Sequence, residues 1–222
     1  MVESDISKRF GEVKGMQAKQ RETQKCQRAV KRMTDILVAA SSLILLSPFL
    51  LAIAAVVRLT SPGPVFYTWH VMGKNGIRFT GYKFRTMVVS ADELKKDLWH
   101  QNEMTGPVFK MKTDPRVTPV GRILRKFSLD ELPQLWSVLG GDMSLVGPRP
   151  VGPSEWEHFE DWQRRKLSVT PGMICLWHVN GKPNAFEQWV RMDLEYIDNW
   201  SLWLDIKILF KTIPYMLLGK SY

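Results

Sequence analysis

The chain has 222 residues, with 31 Lys and Arg against 22 Asp and Glu and a formal net charge of +9. This length allows one domain with a core and accessory elements, and it argues against two large domains. The positive balance favours anionic partners: nucleic acid, anionic lipid or phosphorylated substrates. Cys26 and Cys175 lie far apart and the four histidines lack metal-ligand spacing, which argues against a disulfide framework and a histidine metal site.

Residues 1–33 are polar and basic with scattered apolar positions. They predict a basic arm or an interfacial helix that lies against a negatively charged surface.

Residues 36–57 contain no charged side chain. At about 1.5 Å per residue this stretch is long enough to cross a hydrocarbon core of about 30 Å. By length alone, the simplest interpretation is a single membrane-spanning helix.

Two features favour a different arrangement of this apolar stretch. Pro48 lacks an N–H group and clashes with the carbonyl of Ile44, while Ser47 is biased away from helical geometry and can bond freed backbone groups. Both flanks are basic, with Lys31, Arg32 and Arg58. Positive flanks favour the cytoplasmic side for both ends. The sequence therefore predicts a re-entrant helix-break-helix over residues 34–60, with Ser47 and Pro48 as its hinge.

Residues 61–222 have the character of a soluble domain and predict a cytoplasmic catalytic part. The expected elements are strands over 65–67 and 78–84 around a turn at 73–76, a charged helix over 91–101, a short amphipathic helix over 130–139, and a Trp-rich amphipathic helix over 199–218. The last helix either lies in a membrane interface or packs as an ordinary C-terminal helix. The fold class that follows is a membrane-associated α+β domain.

The adjacent pair Asp130 and Glu131 admits a purely structural interpretation. Ser128 can cap a helix with Glu131 returning to it, or Asp130 can be the cap with Pro133 in the first turn. Both versions say only that a helix begins here.

The same pair also suits phosphate chemistry. Neighbours on a helix point about 100° apart, so the two carboxylates would serve two separate tasks. A helix start binds phosphate, and an ionised carboxylate can attack phosphorus when cations or a divalent metal neutralise both partners. The candidate phosphate-binding residues are Lys83, Arg85 and Arg125, and Arg149 with its flanking Pro148 and Pro150. Lys83 and Arg85 can equally form a solvated strand edge.

Five segments together carry a resemblance to a known family: KRMTDILVAA, SPGPVFY, YKFRTM, DPRVTPVGRILRKFSLDELPQLWSVLGGDMSLVGPRP and NWSLWLDIKILFKTI. The chain from Lys31 to Ile213 resembles the bacterial sugar transferases. These are monotopic polyprenyl-phosphate phosphoglycosyl transferases that initiate exopolysaccharide, O-antigen or glycoprotein glycan synthesis. Some relatives add a large multi-span N-terminal region, so this chain is expected to be a minimal, catalytic-core form.

The resemblance implies roles for the acidic pair. Asp130 would be the nucleophile that attacks the sugar-bearing phosphate of a UDP-sugar, releases UMP and forms a phosphosugar-aspartyl intermediate. Glu131 would bind Mg²⁺, and polyprenyl (undecaprenyl) phosphate would then accept the phosphosugar. Pro148, Arg149 and Pro150 would lie near the nucleotide, and Ser47-Pro48 would break the re-entrant helix.

The resemblance also implies a place and a set of partners. The expected location is the cytoplasmic face of the bacterial inner membrane. The partners would be a UDP-sugar, polyprenyl phosphate and membrane lipid, with no nucleic acid. The sequence leaves the oligomeric state open, a homo-oligomer included.

The chain departs from the family pattern at two places. Trp69 and Val71 stand where Gln and Arg are common, and residues 174–182 read ICLWHVNGK where TGLWQVSGR is usual. These changes leave the sugar unidentified. The competing hypothesis is a non-catalytic, membrane-anchored basic scaffold or binding protein, for which the adjacent carboxylates have no purpose.

Overall fold

The computed structural model describes residues 2–181 and 183–219, with side chains from residue 22 onward. The fold is mixed α+β, mostly helical, with two small sheets. In chain order the main elements are α1 (Val2–Thr60), β1 (Phe66–Met72), β2 (Arg78–Phe84), α2 (Ala91–Asp97), α3 (Pro119–Lys126), an acidic 3-10 helix (Leu129–Gln134), α4 (Leu135–Gly140), β3 (Ser144–Val146), α5 (Pro153–Glu157), α6 (Asp161–Arg164), β4 (Gly172–Ile174), α7 (Leu176–Val179), α8 (Phe186–Asp198) and α9 (Leu202–Leu217). We call residues 61–219 the body.

The helix α1 runs without interruption through Pro48, so the prediction that the helix breaks there is wrong. Pro48 deprives the carbonyl of Ile44 of its usual donor four residues on. The hydroxyl of Ser47 donates to that carbonyl at 2.8 Å instead. Because the freed acceptor is satisfied locally, the helix continues. A single helix, α1, runs across the boundary expected between the arm (1–33) and the membrane helix (34–60); Met1 lies outside the described residues.

One face of α1 is buried against the body along most of its apolar length. Asp35, Ala39, Leu43, Ile53 and Val57 are each less than a tenth exposed. Their spacing of four residues, or close to whole turns, places them on a single stripe. Leu43 and Ala39 join the core with α4, β3 and α9, whereas Ile53 and Val57 pack against β2 and α3. Both ends of the apolar stretch therefore contact the same body.

The opposite face of α1 is apolar and exposed. Its most exposed large side chains are Leu37, Ile44, Leu45, Leu51 and Leu59, each at least 66% accessible. By length and composition alone, Glu22–Thr60 is apolar enough to cross a membrane. An exposed apolar surface of this kind indicates membrane association.

Charged residues fasten the start of the apolar stretch to the body. The ammonium of Lys31 lies 2.6 Å from Asp205 Oδ2 on α9 and 2.9 Å from the carbonyl of Val146. Arg32 donates to two carbonyls at the C-terminal end of α4, at 2.6 and 2.7 Å. Asp35 accepts hydrogen bonds from β3. Lys31 and Arg32, which the sequence assigned to membrane topology, thus also fix the position of α1 on the body.

The strands form two two-stranded sheets. β1 and β2 form the predicted antiparallel hairpin, with Tyr67 opposite Lys83 and Trp69 opposite Gly81. β3 and β4 pair in parallel.

Three predicted helices are present, but their bounds or helix types differ from the prediction. The charged segment forms α2 followed by a 3-10 turn, Trp99–Gln101. The acidic segment divides into the 3-10 helix and α4, and Trp136, expected on its apolar face, is 62% exposed. The C-terminal segment forms α9, where Ser201 caps the helix by accepting the N–H of Leu204 at 3.1 Å.

Candidate active site

A cavity of about 600 Å³ opens beside the hairpin and the acidic 3-10 helix. It gathers most of the site residues expected from the sequence: Lys83, Arg85, Arg125, Asp130, Glu131, Arg149 and Pro150. Pro148 is fully buried beneath the cavity wall, and the hinge residues Ser47 and Pro48 lie on the exposed face of α1. The structure therefore brings together residues that are up to 67 positions apart in the chain, between Lys83 and Pro150.

The capping interpretation of Asp130 and Glu131 is wrong. Ser128 adopts a left-handed conformation with φ of 54°, and its side chain makes no capping hydrogen bond to any residue that the structure describes. A 3-10 helix, with about three residues per turn, separates neighbouring side chains by about 120°. Glu131 consequently turns towards Lys83, and its carboxylate does not return to Ser128.

Asp130 is only 8% exposed. Burial, and then the negative charge of Glu131, raise the pKa of Asp130 to about 6, against the opposing influence of Lys83 and Arg125. Such a carboxyl is mostly ionised at neutral pH and more basic than an ordinary aspartate. It is suited to form a bond with an electrophilic phosphorus atom.

Glu131 behaves in the opposite way. Burial raises its pKa, but Lys83 and then His178 outweigh burial and hold the pKa of Glu131 below its usual range. The Nζ atom of Lys83 lies 2.5 Å from Glu131 Oε1. The two adjacent carboxyls are therefore driven apart in basicity, which is the pattern of two groups with different tasks.

Arg85 donates to protein groups around the turn that follows α1. Its guanidinium bonds the carbonyl of Pro64 at 2.5 Å, and the hydroxyl and carbonyl of Ser61 at 2.7 and 2.8 Å. The main contribution of Arg85 in this structure is to fix the connection between α1 and β1. Lys83, two residues earlier on the same strand, contacts Glu131 of the acidic pair.

Arg125 and Arg149 approach the cavity from different elements. Arg125, near the end of α3, donates to the hydroxyl of Thr86 at 2.9 Å. Arg149 pairs with Glu155 at 3.0 Å, and its guanidinium lies 5.1 Å from the ring centre of Trp189. Pro148 and Pro150 restrict the backbone on both sides of Arg149, and these contacts restrict its side chain as well.

The floor under Arg149 is a buried ion pair. Asp193 Oδ1 accepts the backbone N–H of Arg149 at 3.1 Å, and Asp193 Oδ2 lies 2.7 Å from Lys166 Nζ. Asp193 is fully buried and Lys166 nearly so. Removing either partner would leave a buried charge. Because Lys166 holds Asp193 in place and Asp193 accepts the N–H of Arg149, the pair fixes the backbone at Arg149.

The match to a known family follows this geometry. Residues 26–219 match the family described as bacterial sugar transferase. The chain belongs to that family.

Three relatives show how much of the chain is shared. It is 43% identical over 191 residues to galactosyl transferase CpsE of Streptococcus agalactiae, covering 85% of this chain and 42% of that protein. It is 42% identical over 196 residues to the exopolysaccharide production protein ExoY of Rhizobium meliloti, covering 86% and 87%. It is 43% identical over 195 residues to the undecaprenyl-phosphate galactose phosphotransferase of Salmonella typhimurium, covering 86% and 41%. The chain thus spans about two fifths of the first and third relatives and most of the second.

The residues where this sugar transferase departs from the family pattern lie in different environments. Val71 is completely buried, so it contacts the core. Cys175 is buried as well, and burial raises the pKa of its thiol, which makes it unreactive. Trp69 and His178 line the cavity beside Lys83 and Glu131.

Sequence reasoning gave His178 no role. Its influence on Glu131 joins residues 47 positions apart, and no local pattern indicates it. The sequence marks Trp69 only as a departure from the family pattern, and this departure by itself indicates no role in the cavity.

The acidic pair fits a magnesium ion in chemistry but forms no complete site by itself. Among residues 22–181 and 183–219, no three His, Cys, Asp or Glu side chains are grouped to hold a metal. Mg²⁺ is commonly bound by one or two carboxylates together with substrate phosphates. The carboxylate of Glu131 therefore fits the protein share of a magnesium site whose other ligands would be substrate phosphates.

Proposed function

We propose that this sugar transferase moves a sugar-1-phosphate from a UDP-sugar to polyprenyl phosphate, with UMP as the released product. The single observation that carries the proposal is the buried, basic carboxyl of Asp130 beside the ionised Glu131–Lys83 pair in a cationic cavity. The names of the Salmonella and Streptococcus relatives support a lipid phosphate acceptor and a galactosyl donor. The name of ExoY supports a role in exopolysaccharide production.

In the first half-reaction, a carboxylate oxygen of Asp130 attacks the phosphorus that carries the sugar. A P–O bond forms to Asp130, the P–O bond to the bridging oxygen breaks, and UMP leaves with that electron pair. The product is a phosphosugar-aspartyl group. In the second half-reaction, a phosphate oxygen of polyprenyl phosphate attacks the same phosphorus, and the carboxylate of Asp130 is released.

The cations make this attack feasible, since the nucleophile and the diphosphate are both anionic. Lys83, Arg125 and Arg149 line the cavity and offset the charge that accumulates on the phosphate oxygens. Glu131 would hold Mg²⁺, which supplies Lewis-acid stabilisation to the diphosphate when bound. Lys83 keeps Glu131 ionised for that task.

We further propose that the protein is monotopic and lies on the cytoplasmic face of the bacterial inner membrane. A helix that simply crossed the bilayer would carry its ends to opposite sides. In α1, Lys31 at one end and Val57 at the other both contact the body. About 26 residues of helix lie between these two contacts and correspond to about 39 Å, so the body extends along the whole apolar stretch.

The helix α9 supports the same placement. Asp205, Ile208 and Thr212 face the protein interior, whereas Trp203 and Phe210 are 62% and 69% exposed. Exposed aromatic side chains on an amphipathic helix favour an interfacial position.

The decisive experiment measures UMP release from UDP-sugars, UDP-galactose first, with undecaprenyl phosphate and Mg²⁺. We expect UMP release with one or more donors, and a phosphosugar mass on the peptide that contains Asp130 when the acceptor is omitted. A purified, folded protein that releases no UMP from any UDP-sugar would instead support the scaffold hypothesis.

Topology is tested with a cysteine reporter near residue 5 in a chain whose Cys26, which is exposed, is replaced. In intact spheroplasts, the reporter should resist membrane-impermeant thiol reagents. Replacing Ser47 by Ala and Pro48 by Leu in the same chain tests whether this pair enforces the orientation. Strong labelling of the reporter in the unmodified helix would contradict the monotopic arrangement.

A further inference from the structure

Trp69 lies on the cavity face of the hairpin, directly opposite Gly81. A Cβ atom at position 81 would lie 2.5 Å from the indole Nε1 and 3.1 Å from Cδ1. The indole therefore lies across the surface of Gly81, and only glycine leaves room for it. The ring reaches along β2 towards the next residue on the same face, Lys83.

Lys83 is held between the indole ring and the acidic pair. Its ammonium lies 5.1 Å from the ring centre of Trp69 and 2.5 Å from Glu131 Oε1. Trp69 and Lys83 are diagonal neighbours across the two strands, a separation that long side chains bridge. The face of an indole ring attracts a cation, most strongly where water is excluded.

The ammonium has a competing partner. Asp130 is the next residue to Glu131 in the chain, and its side chain lines the same cavity as Lys83. A lysine side chain has several rotatable bonds, so without a second contact it could move between the two carboxylates. A lysine drawn to Asp130 would neutralise the proposed nucleophile.

The placement of Trp69 has a cost. Its Nε1–H is buried, and it has no acceptor among the residues that the structure describes. A buried donor without a partner is unfavourable. The indole keeps this position beside the cavity, where its face contacts Lys83.

We propose that Trp69 is a positioning residue that holds the Lys83 ammonium on Glu131 and away from Asp130, with Gly81 providing the space for its ring. The proposal rests on the proposed function, because it explains how the two carboxylates keep different tasks. It assigns no direct contact between Trp69 and the substrate.

The test places 5-fluoro-, 5,7-difluoro- and 5,6,7-trifluorotryptophan at position 69 alone. Fluorine weakens the attraction of the ring face for a cation and changes the shape little. We expect log kcat for UMP release to fall steadily with each fluorine, by about 3- to 30-fold over the series, with the melting temperature unchanged. Trp69→Phe should lie within this range, and Trp69→Leu should be the least active.

The matched control is the same series at Trp162, whose ring lies 5.3 Å from the guanidinium of Arg191 outside the cavity. That series should leave kcat unchanged. Equal rates across the position 69 series, or an equal decline at both positions, would overturn the proposal.

A second measurement does not depend on activity. In protein labelled with ¹³C-lysine, the Hε resonance of Lys83 should be shifted upfield by the indole ring, and the shift should disappear in Trp69→Leu. The signal is assigned by its absence from Lys83→Arg. A wild-type chain without UMP release would refute the proposed function, whereas a Lys83 resonance at an ordinary position would refute the role of Trp69.

Discussion

Asp35 and Asp130 are both buried carboxylates, 5% and 8% exposed, but they have different surroundings. Asp35 accepts the hydroxyl of Ser144 at 2.8 Å and the backbone N–H of Leu145 at 3.1 Å. Asp130 lies beside a second carboxylate, and burial with that neighbour raises its pKa to about 6. Each oxygen of the first carboxylate accepts a hydrogen bond, whereas the second adjoins a like charge.

The difference separates a structural use of buried charge from a chemical one. At the contact between α1 and the body, donors and acceptors are matched, which stabilises a single position of the helix. In the cavity, like charges adjoin and cations surround them, an arrangement that costs stability and suits an anionic substrate. Each substitution below should therefore affect mainly stability or mainly turnover.

The largest effect is expected from Asp130→Asn. Asparagine has the size of aspartate and lacks the anionic nucleophile, so turnover should fall at least about a thousandfold. Folding should be retained, and the melting temperature should not fall, because a buried charge next to Glu131 is removed. UMP release and thermal unfolding of the same preparation give the two readouts.

The control is Asp142→Asn, at an exposed position shortly after α4, which should leave both quantities near wild type. Lipid-linked sugar formed by Asp130→Asn at near wild-type rates would contradict the assignment of the nucleophile.

The next largest effect is expected from Glu131→Gln. The amide removes a charged oxygen ligand that suits a hard cation, so activity should fall on the order of a hundredfold. Added Mg²⁺ should restore only part of it. A magnesium titration of UMP release, with a chelator as the zero point, measures this; a wild-type enzyme that is indifferent to the chelator would exclude the metal role.

Asp35→Asn tests the other side of the comparison. Its amide group cannot accept from both Ser144 and Leu145 as the carboxylate does, so unfolding should become easier by about 1–3 kcal/mol. The kcat of the folded protein should remain within about twofold of wild type, since Asp35 does not line the cavity. Asp97→Asn, at an exposed position, is the matched control. A large loss of kcat without a loss of stability would contradict the structural role of Asp35.

The smallest effect is expected from Ser47→Ala, which removes the donor to the carbonyl of Ile44. That carbonyl has lost its usual partner to Pro48, so the change should cost about 0.5–1.5 kcal/mol. In Ser41→Ala the hydroxyl bond to Leu37 is lost, but no proline intervenes and the loss should be smaller. Thermal unfolding in detergent or nanodiscs compares them; equal losses would show that Ser47 does not compensate for the proline.

The sequence predicted the parts of the site that are local. Asp130 and Glu131 are adjacent, and Lys83 lies on a strand whose alternation is visible in the chain, so residue type and spacing mark them as candidates. The separate roles of the two carboxylates come from the family resemblance and stay predictions. Their capping alternative could be rejected only from the three-dimensional geometry, because the left-handed Ser128 and the hydrogen bond that Lys83 donates to Glu131 decide it.

Other features depend on balances or distant partners. Pro48 frees the carbonyl of Ile44, the hydroxyl of Ser47 satisfies it, and the helix continues. Lys31 and Arg32 look like topology signals, yet their partners lie 106 to 174 residues away. Distances of this kind leave no periodic trace in a single sequence.

The stripe from Asp35 to Val57 has a consequence for the proposed reaction with a lipid phosphate. Because α1 packs against β2 and α3, which border the cavity, as well as against α4, β3 and α9, the height of the proposed nucleophile above the lipid headgroups should be set by side-chain packing within the protein. The distance of Asp130 from the membrane surface should therefore be constant. The rate of the first half-reaction should then be the same in a thicker or a thinner bilayer. In the second half-reaction, the lipid phosphate should have to move to the position of Asp130.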